Sequence, residues 1–379
     1  LIYEFGFKNF FSFREGGTIS FKLDANCPAQ ISRGLDYSTV LSIKGANASG
    51  KTSVLRALSF IMHFASRSFQ LEPESRTHLE SFFKNSDPSD FYLEFSINNL
   101  IYKYELSLTD NEVLHESLAR KKSRDVLLFE RKKQKITSRT NEFAHLDKLI
   151  LRKNSSVISL ANQYGIDAIN KVFDFFNTYA TNVSYNGLRE QPLSISFTSK
   201  FLKENSKAFT FVKSFIKDID SGVDDISIKE SKNDKGETTY FPLFTHRHEN
   251  KSISILPNIE SSGTKALFRN LASHWLTLNY GTINIVDEID ANLHPMILAK
   301  IVELYIDKNT NKKNAQLIFT THNTEVLDIL GRYRTYLVNK ENNSSYVYRL
   351  DEIPGDILRN DRPISTPYLN GKIGGIPKL

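Results

Sequence analysis

The sequence predicts an α/β fold built on a largely parallel sheet with an added antiparallel part. Three observations predict it. The apolar run Val40-Leu41-Ser42-Ile43-Lys44 leads into a glycine-bearing loop and then into a stretch with helical apolar spacing. After Gly263 the pattern alternates between helix and strand as far as Val338, the order of a parallel sheet. Between these regions lie segments of strict alternation, the mark of antiparallel strands.

Residues 1–21 read as two short strands around a turn at Gly16-Gly17. The helix after the glycine loop carries Val54, Leu55, Leu58, Ile61 and Met62 on one face. Phe91, Leu93, Phe95 and Ile97 alternate, Asn98-Asn99 turns the chain, and Tyr102, Tyr104, Leu106 and Leu108 alternate back as a hairpin. Strand-like pieces continue to about Lys135. From about 140 to 219 the pattern is helical. Ile166, Ile169, Val172, Phe173, Phe176 and Tyr179 form one stripe; Phe209, Val212, Ile216 and Ile219 form a second that stops near Gly222. Both stripes suit a core. A turn is expected at Asn233-Asp234-Lys235-Gly236. Then come a helix after Gly263, a strand at 283–286, a helix after Pro295, a strand at 317–320, a helix after Asn323 and a strand at 336–338. No internal repeat or low-complexity linker interrupts this order.

No apolar run is long enough for a membrane helix, and the alternating Tyr3, Phe5 and Phe7 suit a strand rather than a signal peptide. The numbering opens on Leu1, so an initiator methionine is expected before it. Cys27 is the single cysteine, which excludes an intramolecular disulfide and agrees with a reducing cytoplasm. The formal charge of +6 permits contact with nucleic acid without demanding it. The densest basic stretches, Arg120-Lys121-Lys122-Ser123-Arg124 and Arg131-Lys132-Lys133-Gln134-Lys135, read first as the solvated face of exposed hairpin strands, the alternative being contact with nucleic acid.

Four motifs carry chemistry. Gly45-Ala46-Asn47-Ala48-Ser49-Gly50-Lys51-Thr52 is a complete phosphate-binding loop between a strand and a helix. Gly45 and Gly50 would let backbone N–H groups turn inward, Lys51 is expected to reach the β- and γ-phosphates, and the Thr52 hydroxyl to bind Mg²⁺. Asn47, Ser49 and Ser53 complete the set expected to hold ATP. Ile283-Asn284-Ile285-Val286-Asp287-Glu288 is an apolar strand ending in two carboxylates, the Walker B arrangement. Asp287 would hold Mg²⁺ and Glu288 would act as general base, the alternative being a strand end that meets solvent. Glu260-Ser261-Ser262-Gly263-Thr264 opens a helix and is either an anion site or an ordinary N-cap. His322, just beyond a strand in Phe319-Thr320-Thr321-His322-Asn323, is either a γ-phosphate sensor or an ordinary loop histidine.

The order phosphate loop, Ser-Ser-Gly, Asp-Glu, histidine resembles the ATP-binding-cassette (ABC) ATPases, most nearly their soluble SMC/RecF/OLD-like branch. Lys8-Asn9-Phe10-Phe11-Ser12-Phe13 looks like that branch's opening strand, and Asp287-Glu288-Ile289-Asp290-Ala291-Asn292-Leu293-His294-Pro295 like its Walker B and D-loop. The tail from Tyr368-Leu369-Asn370-Gly371 to Gly374-Gly375-Ile376-Pro377 resembles a common ending of the stand-alone ATPases of bacterial anti-phage and abortive-infection systems, the AbiL, RloA and PARIS AriA type. The resemblance is close at both ends and loose over about 67–250. It implies a P-loop NTPase of ABC type, with a mixed sheet flanked by helices, an antiparallel β subdomain and a helical insertion. It also implies a paired head, in which Ser261, Ser262 and Gly263 act in trans on ATP held by Lys51 and Thr52 of a second copy. His294 departs from the aspartate of a transporter-type D-loop, and no glutamine falls at a Q-loop position, Gln163 being the candidate.

The expected organisation is a first half of the head at 1–66, an insertion at 67–250 with a β-rich arm (about 88–138) and a helical part (about 140–222), a second half at 251–346 and a tail at 347–379. Without sustained heptads, the insertion is expected to be compact rather than a coiled coil. Three functions follow from the resemblance. One is a cytoplasmic ATPase sensor or scaffold of anti-phage defence, a homodimer or higher homo-oligomer that controls a separate effector, a Toprim-like nuclease or other toxin, under a phage trigger. The second is a RecF-like DNA repair or maintenance ATPase. The third, a nuclease in its own right, is disfavoured because the stretch after His322 is short for a Toprim domain and the histidines are scattered.

Overall fold

The computed structural model describes the chain except at residues 122–123, 185–186, 189–193, 221, 233–235, 356, 360–361 and 377–379. Lys122 and Ser123 of the basic run, residues 233–235 of the expected turn and Pro377 of the tail thus lie outside the described residues.

A six-stranded sheet forms the centre. Its order is Ser344–Arg349, Thr335–Glu341, Val40–Gly45, Gln316–Thr320, Ile283–Val286 and Tyr179–Thr181. The first pair is antiparallel and every other neighbour is parallel. Val40–Gly45 and Gln316–Thr320 are buried along their whole length. Helices cover both faces of such strands, which is why they read as continuous apolar runs rather than as alternation. In register, Ile285 lies beside Ile318 and Ile318 beside Leu41, so the three central strands end at one edge. Ligands bind at that edge in open α/β sheets.

The second sheet is antiparallel and seven-stranded: Gly17–Ser20, Ile2–Lys8, Ser89–Ile97, Leu100–Leu108, Val113–Lys121, Val126–Lys132 and Lys135–Arg139. The expected hairpin turns at Asn98 and Asn99, with φ of 50° and 63°, the left-handed pair of a two-residue turn. The stretch expected as a β-rich arm is continuous with the opening segment, because Ile2–Lys8 pairs with Ser89–Ile97. Between the two sheets runs the helix Lys51–Arg67. Its expected stripe is buried, and Ala57, Phe60 and Phe64 are buried too. One core therefore joins Phe5, Leu93 and Phe95 of the antiparallel sheet to Leu41, Ile285 and Ile318 of the parallel one. Gln316 adds a polar tie between the sheets. Its side chain accepts from the Ile2 amide at 2.7 Å and donates to the Ile2 carbonyl at 2.8 Å.

The other face of the parallel sheet packs on Ile195–Glu204, Ser206–Ile219, Ser262–Tyr280 and Pro295–Ile306. Val212 and Ile216 are buried there as the second stripe requires. The longest described helix between 67 and 250 is Ser206–Ile219, of 14 residues, so no coiled-coil arm exists among the described residues. No described helix is long and apolar enough to cross a membrane.

Two expectations need correction, and one sheet is added to the expected elements. Tyr179 is not on the first helical stripe: Asn170–Asn177 ends before it, and Tyr179–Thr181 is the edge strand of the parallel sheet. The expected 233–236 turn falls between Asp225–Lys232 and Thr238–His248, which with Lys251–Ile255 form a three-stranded antiparallel sheet whose strands were not expected from the sequence. The basic run is not simply a solvated face. Arg131 is fully buried against Glu116, whose carboxylate accepts from the Val157 amide at the start of helix Val157–Gln163. Lys121 is paired with Glu94, Arg120 with Glu142 and Lys133 with Glu112.

Candidate functional site

The phosphate loop leaves the strand Val40–Gly45 and enters the helix Lys51–Arg67 through Gly50, whose φ of 111° no other residue adopts easily. A side chain at Gly45 would lie 2.3 Å from the Val338 carbonyl oxygen, so the strand end also requires glycine. The loop and the sheet edge enclose a cavity of about 590 Å³. Asn47, Gly50, Lys51, Thr52, Ser53, Asp287, Glu288 and His322 line it, with Phe11, Ser12, Ala48 and Arg56. Gly45 and Ser49 lie behind the loop rather than on the cavity wall.

Within the cavity the polar groups already face one another. Thr52 Oγ1 donates to Asp287 Oδ2 at 2.7 Å. Lys51 Nζ donates to the Gly45 and Ala46 carbonyls, both at 3.0 Å. Burial lowers the Lys51 pKa, and Asp287, Glu288 and Asp290 oppose that shift through space. The Ser49 hydroxyl is buried without a hydrogen-bond partner. A hydroxyl and a carboxylate in contact and an amine turned onto its own loop carbonyls fit a nucleotide phosphate with Mg²⁺. Thr52 and Asp287 form the hard-oxygen pair such an ion takes.

Two residues not singled out in the sequence orient Asp287. Thr320 Oγ1 donates to Asp287 Oδ1 at 2.5 Å and accepts from the Glu288 amide at 2.8 Å. The Asn182 side chain clamps the Asp287 peptide: its Oδ1 accepts from the Asp287 amide at 2.7 Å and its Nδ2 donates to the Asp287 carbonyl at 2.8 Å. Asn182 follows directly on the edge strand Tyr179–Thr181. Gln163, the Q-loop candidate, instead ends the helix Val157–Gln163, is exposed and does not line the cavity. Glu288 is exposed and held at φ 49°, so its carboxylate stands on a left-handed backbone at the cavity wall.

His322 lies on a loop fastened from two sides. Asp290 Oδ2 accepts from the His322 and Asn323 amides, both at 3.1 Å. Lys44 Nζ donates to the His322 carbonyl at 2.7 Å. Burial pulls the Lys44 pKa down to about 8, with Asp290 opposing that shift and Lys51 adding to it. Lys44 Nζ also lies 5.1 Å from the centre of the Tyr368 ring, so the tail rests against the residue that precedes the phosphate loop.

Ser261, Ser262 and Gly263 are not brought to this cavity. Ser261 is the N-cap of Ser262–Tyr280, its Oγ accepting from the Thr264 amide at 3.0 Å. Ser261 and Ser262 are exposed, and Ser262 lines a separate cavity of about 510 Å³ with Lys265, Arg269 and Asn292. Gly263 packs so tightly on the D-loop that an added Cβ would lie 3.0 Å from the Asn292 carbonyl oxygen. His294, the departure from the D-loop pattern, is the N-cap of Pro295–Ile306. Its Nδ1 accepts from the Met296 amide at 3.3 Å, taking the place of a capping carboxylate.

Three solved structures are similar over 92% of the chain. The SMC head bound to the C-winged helix domain of ScpA has a TM-score of 0.49 at 14% identity, over 97% of its own chain. The SMC head domain from Thermotoga maritima has 0.45 at 13%, over 98%. The Smc head domain with an extended coiled coil, bound to the C-terminal domain of ScpA derived from Pyrococcus furiosus, has 0.46 at 13%, over 96%. No curated protein matches the sequence. A family model does match, over residues 40–328, from the phosphate-loop strand to beyond the histidine loop. The chain therefore belongs to the family of AAA domains described as putative AbiEii toxin, type IV toxin–antitoxin system.

Proposed function

We propose that this chain is an ATPase that binds ATP with Mg²⁺ and closes around it as a homodimer or higher homo-oligomer. One observation carries the reading. Lys51, Thr52, Asp287, Glu288 and His322 share a cavity, whereas Ser261, Ser262 and Gly263 stand outside it and two of them are exposed. Lys51 and the loop would hold the phosphates, and Thr52 with Asp287 would hold the metal. Bound Mg²⁺ supplies charge neutralisation on the transferring phosphoryl group. Glu288 is the base for the attacking water, and His322 faces the same space from the end of a neighbouring strand. The exposed serines and Gly263 would complete the site of a second copy.

The family description, which couples such domains to toxin–antitoxin systems, supports a role for this closure in anti-phage defence. In that role the head restrains a separate effector, a Toprim-like nuclease or other toxin, until a phage component triggers release. Lys51→Ala is expected to abolish ATP binding in calorimetric titration. Glu288→Gln is expected to bind ATP, fail to hydrolyse it and sediment as a closed dimer. Hydrolysis at the wild-type rate by Glu288→Gln would remove the general-base assignment, and a monomer at saturating ATP would remove the closure. ATPase activity stimulated by DNA in the absence of any partner would favour the DNA-maintenance reading instead. Mass spectrometry of chains that co-purify from the native host identifies the effector.

A further inference from the structure

Arg56 is a cation of the nucleotide cavity without a task in the reading above. It lies one helical turn beyond Thr52 on Lys51–Arg67 and lines the cavity with Lys51, Thr52 and Ser53. Its Nε is buried with no hydrogen-bond partner, and no ion pair takes up its guanidinium among the described residues. Burial lowers its pKa, and Asp287 and Glu80 act against that shift only through space. An arginine half withdrawn from water and left unpaired is costly unless something arrives to meet it.

The guanidinium is held in place by an aromatic ring. Its carbon lies 4.5 Å from the centre of Phe11, which lines the same cavity. Phe11 has φ 49°, a left-handed conformation that bulky residues rarely adopt. The surroundings enforce it. The Phe11 amide donates to the Glu80 carbonyl at 2.9 Å, and Phe10 and Phe13 bridge across the loop. The Asn9 side chain anchors the loop base on Asn85 Oδ1 and the Asp87 carbonyl, both at 2.9 Å. Backbone strain at a cavity wall points to a functional constraint. Here the constraint places a ring against a guanidinium, whose planar fork suits phosphate oxygens.

We propose that Arg56, braced by Phe11, is a second phosphate-binding cation beside Lys51 and contacts phosphates that ATP and ADP share. The assignment rests on the nucleotide reading of the cavity. Arg56 comes from the same helix as Ser53, whereas Glu288 and His322, the residues read as acting at the terminal phosphate, enter from the ends of other strands, which favours contact with the phosphates that ATP and ADP share.

The test is calorimetric titration of the full chain with Mg²⁺-ATP and Mg²⁺-ADP. Arg56→Met is expected to raise Kd about tenfold or more for both nucleotides, the size of one lost charge-assisted contact. Phe11→Leu is expected to raise both by less. The double variant should match Arg56→Met, because the ring acts only through the guanidinium. Arg56→Lys, which keeps the charge and loses the fork, should recover part of the affinity. Unfolding temperature is followed in each case; if Arg56→Met does not fold, Arg56→Lys and Phe11→Leu carry the test. Wild-type Kd values in the folded variants, or a loss confined to ATP, overturn the assignment. A wild-type chain that binds neither nucleotide sinks the nucleotide reading itself, which is a different result.

Discussion

His274 illustrates how a single side chain can report on the site without touching it. It lies on Ser262–Tyr280, is fully buried and lines a cavity of about 610 Å³ bounded also by Asn182, Asp287 and Glu288. Its Nδ1 accepts from Tyr305 Oη at 2.9 Å and from Asn284 Nδ2 at 3.3 Å. An amide nitrogen can only donate, so Nδ1 carries no proton and the ring is neutral. Burial accordingly pushes its pKa down to about 4 from 6.5. In the unfolded chain the ring takes a proton as pH falls below about 6.5, and in the folded chain it does not. Between those values the unfolded state binds more protons, so stability falls on acidification, by an amount on the order of 3 kcal/mol over the whole window. Urea unfolding at a series of pH values from 4 to 7 measures this. His274→Gln is expected to flatten the slope, and an unchanged slope would mean that other groups set it.

At the scale of elements, the edge strand Tyr179–Thr181 is short and yet positions Asp287. Its parallel pairing places Ala180 beside Asn284 and Thr181 beside Ile285, which carries Asn182 to the level of Asp287. Asn182→Ala removes two hydrogen bonds to the Asp287 peptide and leaves both of its groups without that partner. The expected cost is about 2 kcal/mol in unfolding free energy, together with a higher Mg²⁺ concentration for half-maximal ATP binding. A normal Mg²⁺ midpoint in a destabilised variant would make the clamp purely structural. This element also shows where sequence reading ends. Lys51, Thr52, Asp287 and Glu288 were legible because each sits at a fixed offset from a periodic apolar run. Asn182 follows a strand too short to display a period, and Tyr179 continued the helical spacing of Val172 and Phe176 by coincidence. Thr320 was visible as a strand end but not as a ligand of Asp287, since that contact spans 33 residues of chain. The pairing of Ile2–Lys8 with Ser89–Ile97 is equally non-local, and no local pattern encodes it. Arg131 looked like its exposed neighbours because a charge run does not reveal that one member turns inward to a buried glutamate.

At the scale of the molecule, the two halves of the proposed site line different cavities of one chain, so the decisive experiment separates them onto different chains. Lys51→Ala disables the phosphate loop and leaves Ser261–Gly263 intact. Ser262→Arg puts a bulky cation at an exposed serine and leaves the loop intact. Each variant alone is expected to lack ATPase activity. In a twofold dimer each site takes its loop from one copy and its serines from the other. A mixed dimer then has one site with both defects and one with none. Equal mixing makes about half of the dimers mixed, so activity should recover to about a quarter of wild type. Recovery needs exchange of subunits, which denaturation and refolding of the mixture, or co-expression with two affinity tags, provides. If the serines instead served the loop of their own chain, every site in every mixture would carry one defect and activity would stay at the level of the single variants. Recovery therefore separates action between copies from action within one. The exposed position of Ser262, away from the cavity that holds Lys51, favours recovery.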